Sequence, residues 1–167
     1  MKKILVTGAF GQIGSELTPS LQKKYGADNV IAIGHKNIPT GFNGIVEKLN
    51  INDLSALGAL IKKYEIGEVY HLVSLLSVGG EAQPDMCWKI NMDGLKNVLD
   101  LAREFKLKVF WPSSIAAFGP TTPADNTPQR TILEPTTIYG VTKVAGELLC
   151  QYYFLKYGLD VRSVRYP

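Results

Sequence analysis

The stretch Lys3-Ile-Leu-Val-Thr-Gly-Ala-Phe-Gly-Gln-Ile-Gly14 decides the fold of this chain. Lys3 to Thr7 has the apolar run of a buried strand, and Gly8, Gly11 and Gly14 follow at even spacing where a helical pattern begins. Each glycine has its own task. Gly8 permits a tight turn out of the strand, Gly11 lets backbone approach a pyrophosphate, and Gly14 allows the helix to pack close to the sheet. The helix start, with Gln12 and Ile13 in the turn, offers free N–H groups and a partial positive charge to phosphates. A strand before and a helix after supply the context that a dinucleotide-binding turn requires, and the Gly-Lys-Ser/Thr of a P-loop does not follow.

Outward from this turn, strand-like runs at Lys3 to Thr7, Asn29 to Ile33, Gly44 to Leu49, Glu68 to Leu72, Lys108 to Pro112 and Asp160 to Tyr166 alternate with helical patterns. The helices are expected at Gly11 to Tyr25, Asp53 to Tyr64, Pro84 to Phe105 and Thr136 to Tyr157, with Asn52 or Asp53 as an N-cap. Runs such as Ile4-Leu-Val6, Val30-Ile-Ala32 and Val109-Phe-Trp111 are unbroken rather than alternating, as when helices cover both faces of a parallel sheet. Right-handed βαβ crossovers then give a doubly wound, Rossmann-type α/β fold with strand order 3-2-1-4-5-6 in one domain over residues 1–167. Gly119 to Pro135, with Pro120, Pro123, Pro128 and Pro135, is expected to be an irregular loop forming part of an active-site wall.

Composition excludes several classes. The chain has 167 residues, 46% hydrophobic and 20% charged, as for an ordinary globular domain. Its net charge of +3 comes without a run of like charges, so no nucleic-acid surface is indicated. No apolar stretch reaches bilayer length and none resembles a signal peptide, so a cytoplasmic protein is expected. Cys87 and Cys150 lie in helical patterns without partners at metal-ligand spacing and read as buried thiols, with no metal site.

Tyr139 and Lys143 stand one helical turn apart and share a face. A tyrosine is only about 0.1% ionised at neutral pH, so its use as a base needs roughly 4 kcal/mol of phenolate stabilisation. A neighbouring ammonium in a desolvated cleft has the right sign. Ser113 and Ser114 end the fifth strand, at the carboxyl edge where open α/β sheets bind ligands, and Ser114 is the one expected to orient a substrate hydroxyl. The second strand ends in Ile33-Gly-His-Lys36 without the acidic residue that normally holds the adenosine ribose and selects NAD. His35 and Lys36 are expected near that ribose, and NADP is possible beside NAD. His71 reads as hydrogen-bonded structure rather than a base. Asn91 either holds backbone or a water near Lys143, or is a polar residue on a buried face.

Trp111-Pro-Ser-Ser-Ile-Ala-Ala-Phe-Gly-Pro-Thr-Thr-Pro123, Pro135-Thr-Thr-Ile-Tyr-Gly-Val-Thr-Lys143 and Tyr157-Gly-Leu-Asp-Val-Arg-Ser-Val-Arg-Tyr-Pro167 give the chain its resemblance. Over its whole length it is similar to extended short-chain dehydrogenase/reductases, which include sugar-nucleotide epimerases, and within them to the epimerase-type L-threonine 3-dehydrogenases. The resemblance implies NAD-dependent oxidation of L-threonine to 2-amino-3-oxobutanoate, with Ser114, Tyr139 and Lys143 catalytic and Ser77 on the substrate side. It implies cofactor contacts at Gly8, Gly11, Gln12, Ile13, Gly14, His35, Lys36, Asn50, Ile51, His71, Leu72, Val73, Asn91, Tyr139, Lys143, Tyr166 and Pro167. It also implies a homodimer through helices 84–105 and 136–157. Two departures are visible. Gly34 replaces the usual aspartate, and family members continue past Pro167, so their C-terminal substrate domain is expected to be absent from this chain. A sugar-nucleotide epimerase or dehydratase and a non-catalytic cofactor-binding fragment are the competing readings.

Overall fold

The computed structural model describes residues 2–35 and 38–167. Strands β1 (Lys3–Thr7), β2 (Val30–Gly34), β3 (Ile45–Lys48), β4 (Ile66–His71), β5 (Lys108–Ser114) and β6 (Val161–Tyr166) form one sheet. All neighbours are parallel and the order is β3-β2-β1-β4-β5-β6, as the sequence predicts. The winding reverses between β1 and β4, which opens a crevice at their carboxyl ends. The helices are α1 (Gly14–Tyr25), α2 (Leu54–Tyr64), α3 (Ser77–Ala82), α4 (Pro84–Trp88), α5 (Gly94–Phe105) and α6 (Ile138–Tyr157).

Strand alternation divides the core between the two faces. Leu5, Ile31, Val69, Val109 and Trp111 join Leu57 of α2, Leu95 and Leu99 of α5 and Cys150 of α6 on one side. Ile4, Val6, Val30 and Ala32 meet Leu17 and Leu21 of α1 on the other. Burial on both sides is why these strands read as continuous apolar runs. Asp53 caps α2 by accepting a hydrogen bond from the Ala56 amide at 2.9 Å, and Thr137 caps α6 by accepting from Gly140 at 3.0 Å. The second cap fixes where α6 begins and so places Tyr139 in its first turn. Gly146, one turn beyond Lys143, lets α6 lie against β5, because a Cβ there would collide with the Trp111 ring.

The structure departs from the sequence reading in four places. The phosphate-binding turn occupies the residues before Gly14, so α1 starts there rather than at Gly11. Pro84 to Phe105 is not one regular helix, since a π-helical turn at Lys89–Asp93 joins α4 to α5, a feature often found at functional sites. Helix α3 was hidden by Gly79 and Gly80, poor helix formers. Gly80 is nonetheless required, because a Cβ would lie 3.0 Å from Cys87 Sγ and hold α3 away from α4.

The fourth concerns the proline-rich loop, which is irregular as expected but walls a different surface. Its ends meet where Gly119 packs against the Glu134 carbonyl, and Thr122 Oγ1 donates to the Ile132 carbonyl at 2.7 Å. Gln129 and Leu133 then face Leu148 and Phe154 of α6 and Val164 of β6 across a groove of about 830 Å³. Ser114, Tyr139 and Lys143 do not line that groove. Among the described residues, no helix is long and apolar enough to cross a membrane.

Candidate active site

The glycine turn has the shape its sequence requires. Gly8 takes a left-handed φ of +69°, and a Cβ there would press on the Leu72 and Val73 backbone at 3.0–3.1 Å. A Cβ on buried Gly14 would collide with the Gly8 carbonyl and the Ala9 backbone. The Ala9 amide donates to Ile33 at 3.2 Å and the Gly11 amide to Gly8 at 3.0 Å, which ties the turn to β2 and to itself. No side-chain oxygen caps the start of α1 at Ile13, and Gly11 and Gln12 are exposed, leaving the positive end of the helix open to an anion. These residues fit a dinucleotide pyrophosphate.

A cleft of about 340 Å³ continues from Gly8 past Gly34 and His35 to Asn50 and Ile51, with Val73 on its near side. It therefore gathers five residues that the sequence assigned to the cofactor from four separate segments. Lys36 was assigned there too and lies outside the described residues. Met86, Lys89 and Ile90 also line the cleft. Sequence reasoning missed these three, since nothing in a helical pattern shows that α4 and the π-helical turn face the carboxyl end of β2.

At the far end of the crevice, Tyr139 and Lys143 are both buried on the inner face of α6, and Ser114 is half-buried at the end of β5. Ser113 points away and donates to Glu147 Oε1 at 2.6 Å, while Glu147 is held in a two-pronged pair by Arg165 at 2.7 and 2.8 Å. Ser114 Oγ accepts from the Ala116 amide at 3.1 Å. Burial raises the Tyr139 phenol above its ordinary value, a hydrogen bond with Ser114 opposes the rise, and Cys87 adds to it. Lys143 is pulled down to about 8 by burial, against the raising influence of Cys87, Cys150 and Glu147. Its ammonium donates to the Pro112 carbonyl at 2.8 Å and lies 5.3 Å from the Tyr139 ring centre. The expected lowering of the phenol by Lys143 is therefore not met in this state, because burial outweighs what acts on the hydroxyl.

Asn91 clamps the Leu75 backbone to Thr142 of α6. Its Oδ1 accepts from the Leu75 amide at 2.7 Å, and its Nδ2 faces the Leu75 carbonyl and Thr142 Oγ1, each at 3.0 Å. Of the two sequence readings, holding backbone is the one this geometry matches, and the amide is occupied by protein rather than presented to a cofactor. Glu81 of α3 accepts from the Ile138 amide at 2.7 Å, which ties the short helix bearing Ser77 to the start of α6. Tyr166, followed by Pro167, is paired in register with Ser114 at the sheet's carboxyl edge. Ser74 Oγ is buried without a partner beside Val73, a polar group that a ligand in the crevice can satisfy.

His71 is fully buried, with Nδ1 2.8 Å from Thr7 Oγ1, which also accepts from the Leu72 amide at 3.2 Å. Burial first, then the Lys143 charge, lowers its pKa from 6.5 to about 3. The ring is neutral and structural rather than a base poised near neutrality. Between these two values the unfolded chain binds more protons than the folded one, so stability falls as pH drops below 6.5. His71 is expected to contribute a loss of about 2 kcal/mol between pH 6.5 and 5. Denaturant melts across that range check this, and His71→Gln should flatten the slope.

The profile of the NAD dependent epimerase/dehydratase family matches residues 4–167. An L-threonine dehydrogenase structure from Clostridium difficile shares 50% identity and a TM-score of 0.95, covering 100% of this chain and 53% of that one. The GalE-like L-threonine dehydrogenase of Cupriavidus necator, in its holo form, shares 51% identity and a TM-score of 0.96, covering 99% and 55%. UDP-glucose 4-epimerase from Thermotoga maritima is more distant, at 25% identity with a TM-score of 0.87 over 98% of this chain and 55% of that one. An uncharacterized epimerase/dehydratase of Staphylococcus saprophyticus is 51% identical, covering 100% of this chain and 53% of its own length. The chain thus spans about half the length of the relatives it matches.

Proposed function

Because the chain belongs to the NAD-dependent epimerase/dehydratase family, we propose that it is the nucleotide-binding and catalytic half of an L-threonine 3-dehydrogenase, oxidising the β-hydroxyl to give 2-amino-3-oxobutanoate. The observation that carries this reading is the convergence of Ser114, Tyr139 and Lys143 at the end of the crevice that begins at the glycine turn. The similarity to L-threonine dehydrogenases at about half identity, against 25% to a UDP-glucose 4-epimerase, supports threonine over a sugar nucleotide.

When bound, a nicotinamide dinucleotide supplies the hydride acceptor. The chain's own residues do the rest. Gly8, Gly11 and the start of α1 would hold the pyrophosphate, and Gly34, His35, Asn50 and Ile51 would border the adenosine. Ser114 donates to the substrate oxygen and keeps it beside Tyr139. Tyr139 Oη, as phenolate, takes the hydroxyl proton. Lys143 neutralises the phenolate by charge once its ammonium turns from the Pro112 carbonyl, and Asn91 keeps the Leu75 backbone in place behind it. Ser77 borders the substrate side.

The same reading includes a cytoplasmic homodimer through helices 84–105 and 136–157. Leu148, Tyr152 and Leu155 are exposed on α6, and Tyr153 of α6 donates to Asp100 of α5, which supports a shared, partly apolar helical face. An assay of L-threonine with NAD and with NADP, beside UDP-glucose as the competing substrate, tests the activity. Threonine-dependent reduction of the nicotinamide without sugar turnover is expected, and the reverse contradicts it.

A further inference from the structure

We propose that the adenosine end of the cleft takes the 2′-phosphorylated dinucleotide, NADP, at least as tightly as NAD, an inference that rests on the reading of this cleft as the dinucleotide site. Discrimination against a 2′-phosphate needs a repulsive or space-filling group at the ribose, ordinarily a carboxylate at the end of the second strand. In this chain that position is not merely neutral but closed. A Cβ on Gly34 would lie 2.8 Å from both Phe10 Cε2 and Ile38 Cγ1. The Phe10 ring is in turn braced edge-on by Phe42, with centres 5.1 Å apart. No side chain, acidic or otherwise, can be presented from residue 34 until that ring moves.

The rest of the cleft agrees. Among the described residues, none that lines it is acidic, and its ionisable members are His35 and Lys89. Asn50, on the opposite border, is an amide whose Oδ1 accepts from the Asn52 backbone at 3.1 Å. A phosphate monoester carries about −1.5 to −2 charge at neutral pH. Among the described residues that line the cleft it would meet cationic or neutral groups. Replacement of the acid by an aromatic wall thus removes the element that excludes NADP and leaves one that does not penalise NAD.

Calorimetric titration of the chain with NAD and NADP, repeated with ADP and adenosine 2′,5′-bisphosphate so that the nicotinamide plays no part, tests the proposal. In each pair the 2′-phosphorylated member is expected to bind at least as tightly at low salt, with its advantage shrinking as salt screens the phosphate. Asn50→Asp, nearly isosteric on an exposed loop, should weaken NADP by about tenfold relative to NAD by placing a carboxylate in the cleft. Lys89→Gln should reduce the affinity for NADP more than for NAD. Tighter binding of NAD and ADP than of their 2′-phosphorylated partners overturns the inference while leaving the dinucleotide site intact. Failure of all four to bind removes the site itself.

Discussion

Replacing Tyr139 by Phe is expected to lower threonine-dependent nicotinamide reduction by about 10²–10⁴-fold, the range that a positioned proton-transfer group supplies. Dinucleotide affinity should change by no more than about twofold, because the lost hydroxyl serves the reacting proton rather than the cofactor's hold. Steady-state rates and calorimetry on the same preparation check both halves. Retention of activity would remove Tyr139 from the chemistry. The pH dependence has a defined direction. Burial holds the phenol above its ordinary 10, and only the ionised form accepts the substrate proton. The oxidation rate in the wild type should therefore rise with pH from about 7 to 8, where Lys143, held at about 8, still carries much of the charge that steadies the phenolate, and this rise should vanish from any residual activity of Tyr139→Phe.

The second large effect is expected at Gly14. An alanine there sets its methyl against the Gly8 carbonyl and the Ala9 backbone, neither of which is the far end of a flexible side chain. The turn must shift, and with it the N–H groups that face the pyrophosphate. Gly14→Ala should weaken dinucleotide binding by about 10²-fold or more and lower stability by about 1–3 kcal/mol. Gly11→Ala separates the two losses. A Cβ on Gly11 has only the Gly8 oxygen near it, at 3.4 Å, and the residue is exposed. That variant should keep its melting temperature and lose affinity alone. Unchanged binding in both would show that the turn does not carry the phosphates.

The legible parts of the molecule are those fixed by local pattern. Ile4 to Val6 and Val30 to Ala32 read as buried parallel strands because both sides of each strand are covered, and that pattern needs no knowledge of partners. The Tyr139 and Lys143 pair was legible for a similar reason, since one helical turn sets their shared face. What stayed hidden depends on contacts between distant segments. Gly79 and Gly80 argue locally against a helix, and only the approach of Cys87 explains why α3 carries Gly80. The π-helical turn at Lys89–Asp93 places Asn91 against Leu75 and Thr142, two segments that no helical periodicity relates. The proline-rich loop was legible as irregular, yet its docking is set by a bond from Arg165 to the Gln129 carbonyl and by the stacking of Arg165 on Phe118. Neither has a signature in the loop's own composition.

The site follows the same division. Residue types and their order along the chain pointed to Ser114, Tyr139 and Lys143, but the protonation chemistry came from burial. Lys143 lies under α6 with its ammonium on the Pro112 carbonyl, so the charge meant for the phenol is held in reserve in this state. His71 is kept neutral by its enclosure beside Thr7, whatever its residue type suggests.

Calorimetric titration of the folded chain with NAD and NADP tests the central claim most directly, namely that a nicotinamide dinucleotide lies along the crevice from Gly8 to Tyr139. Saturable binding of at least one form at a single site per chain, lost in Gly14→Ala and kept in Tyr139→Phe, is the expected result. A chain that melts cooperatively yet gives no saturable heat with either nucleotide would contradict it.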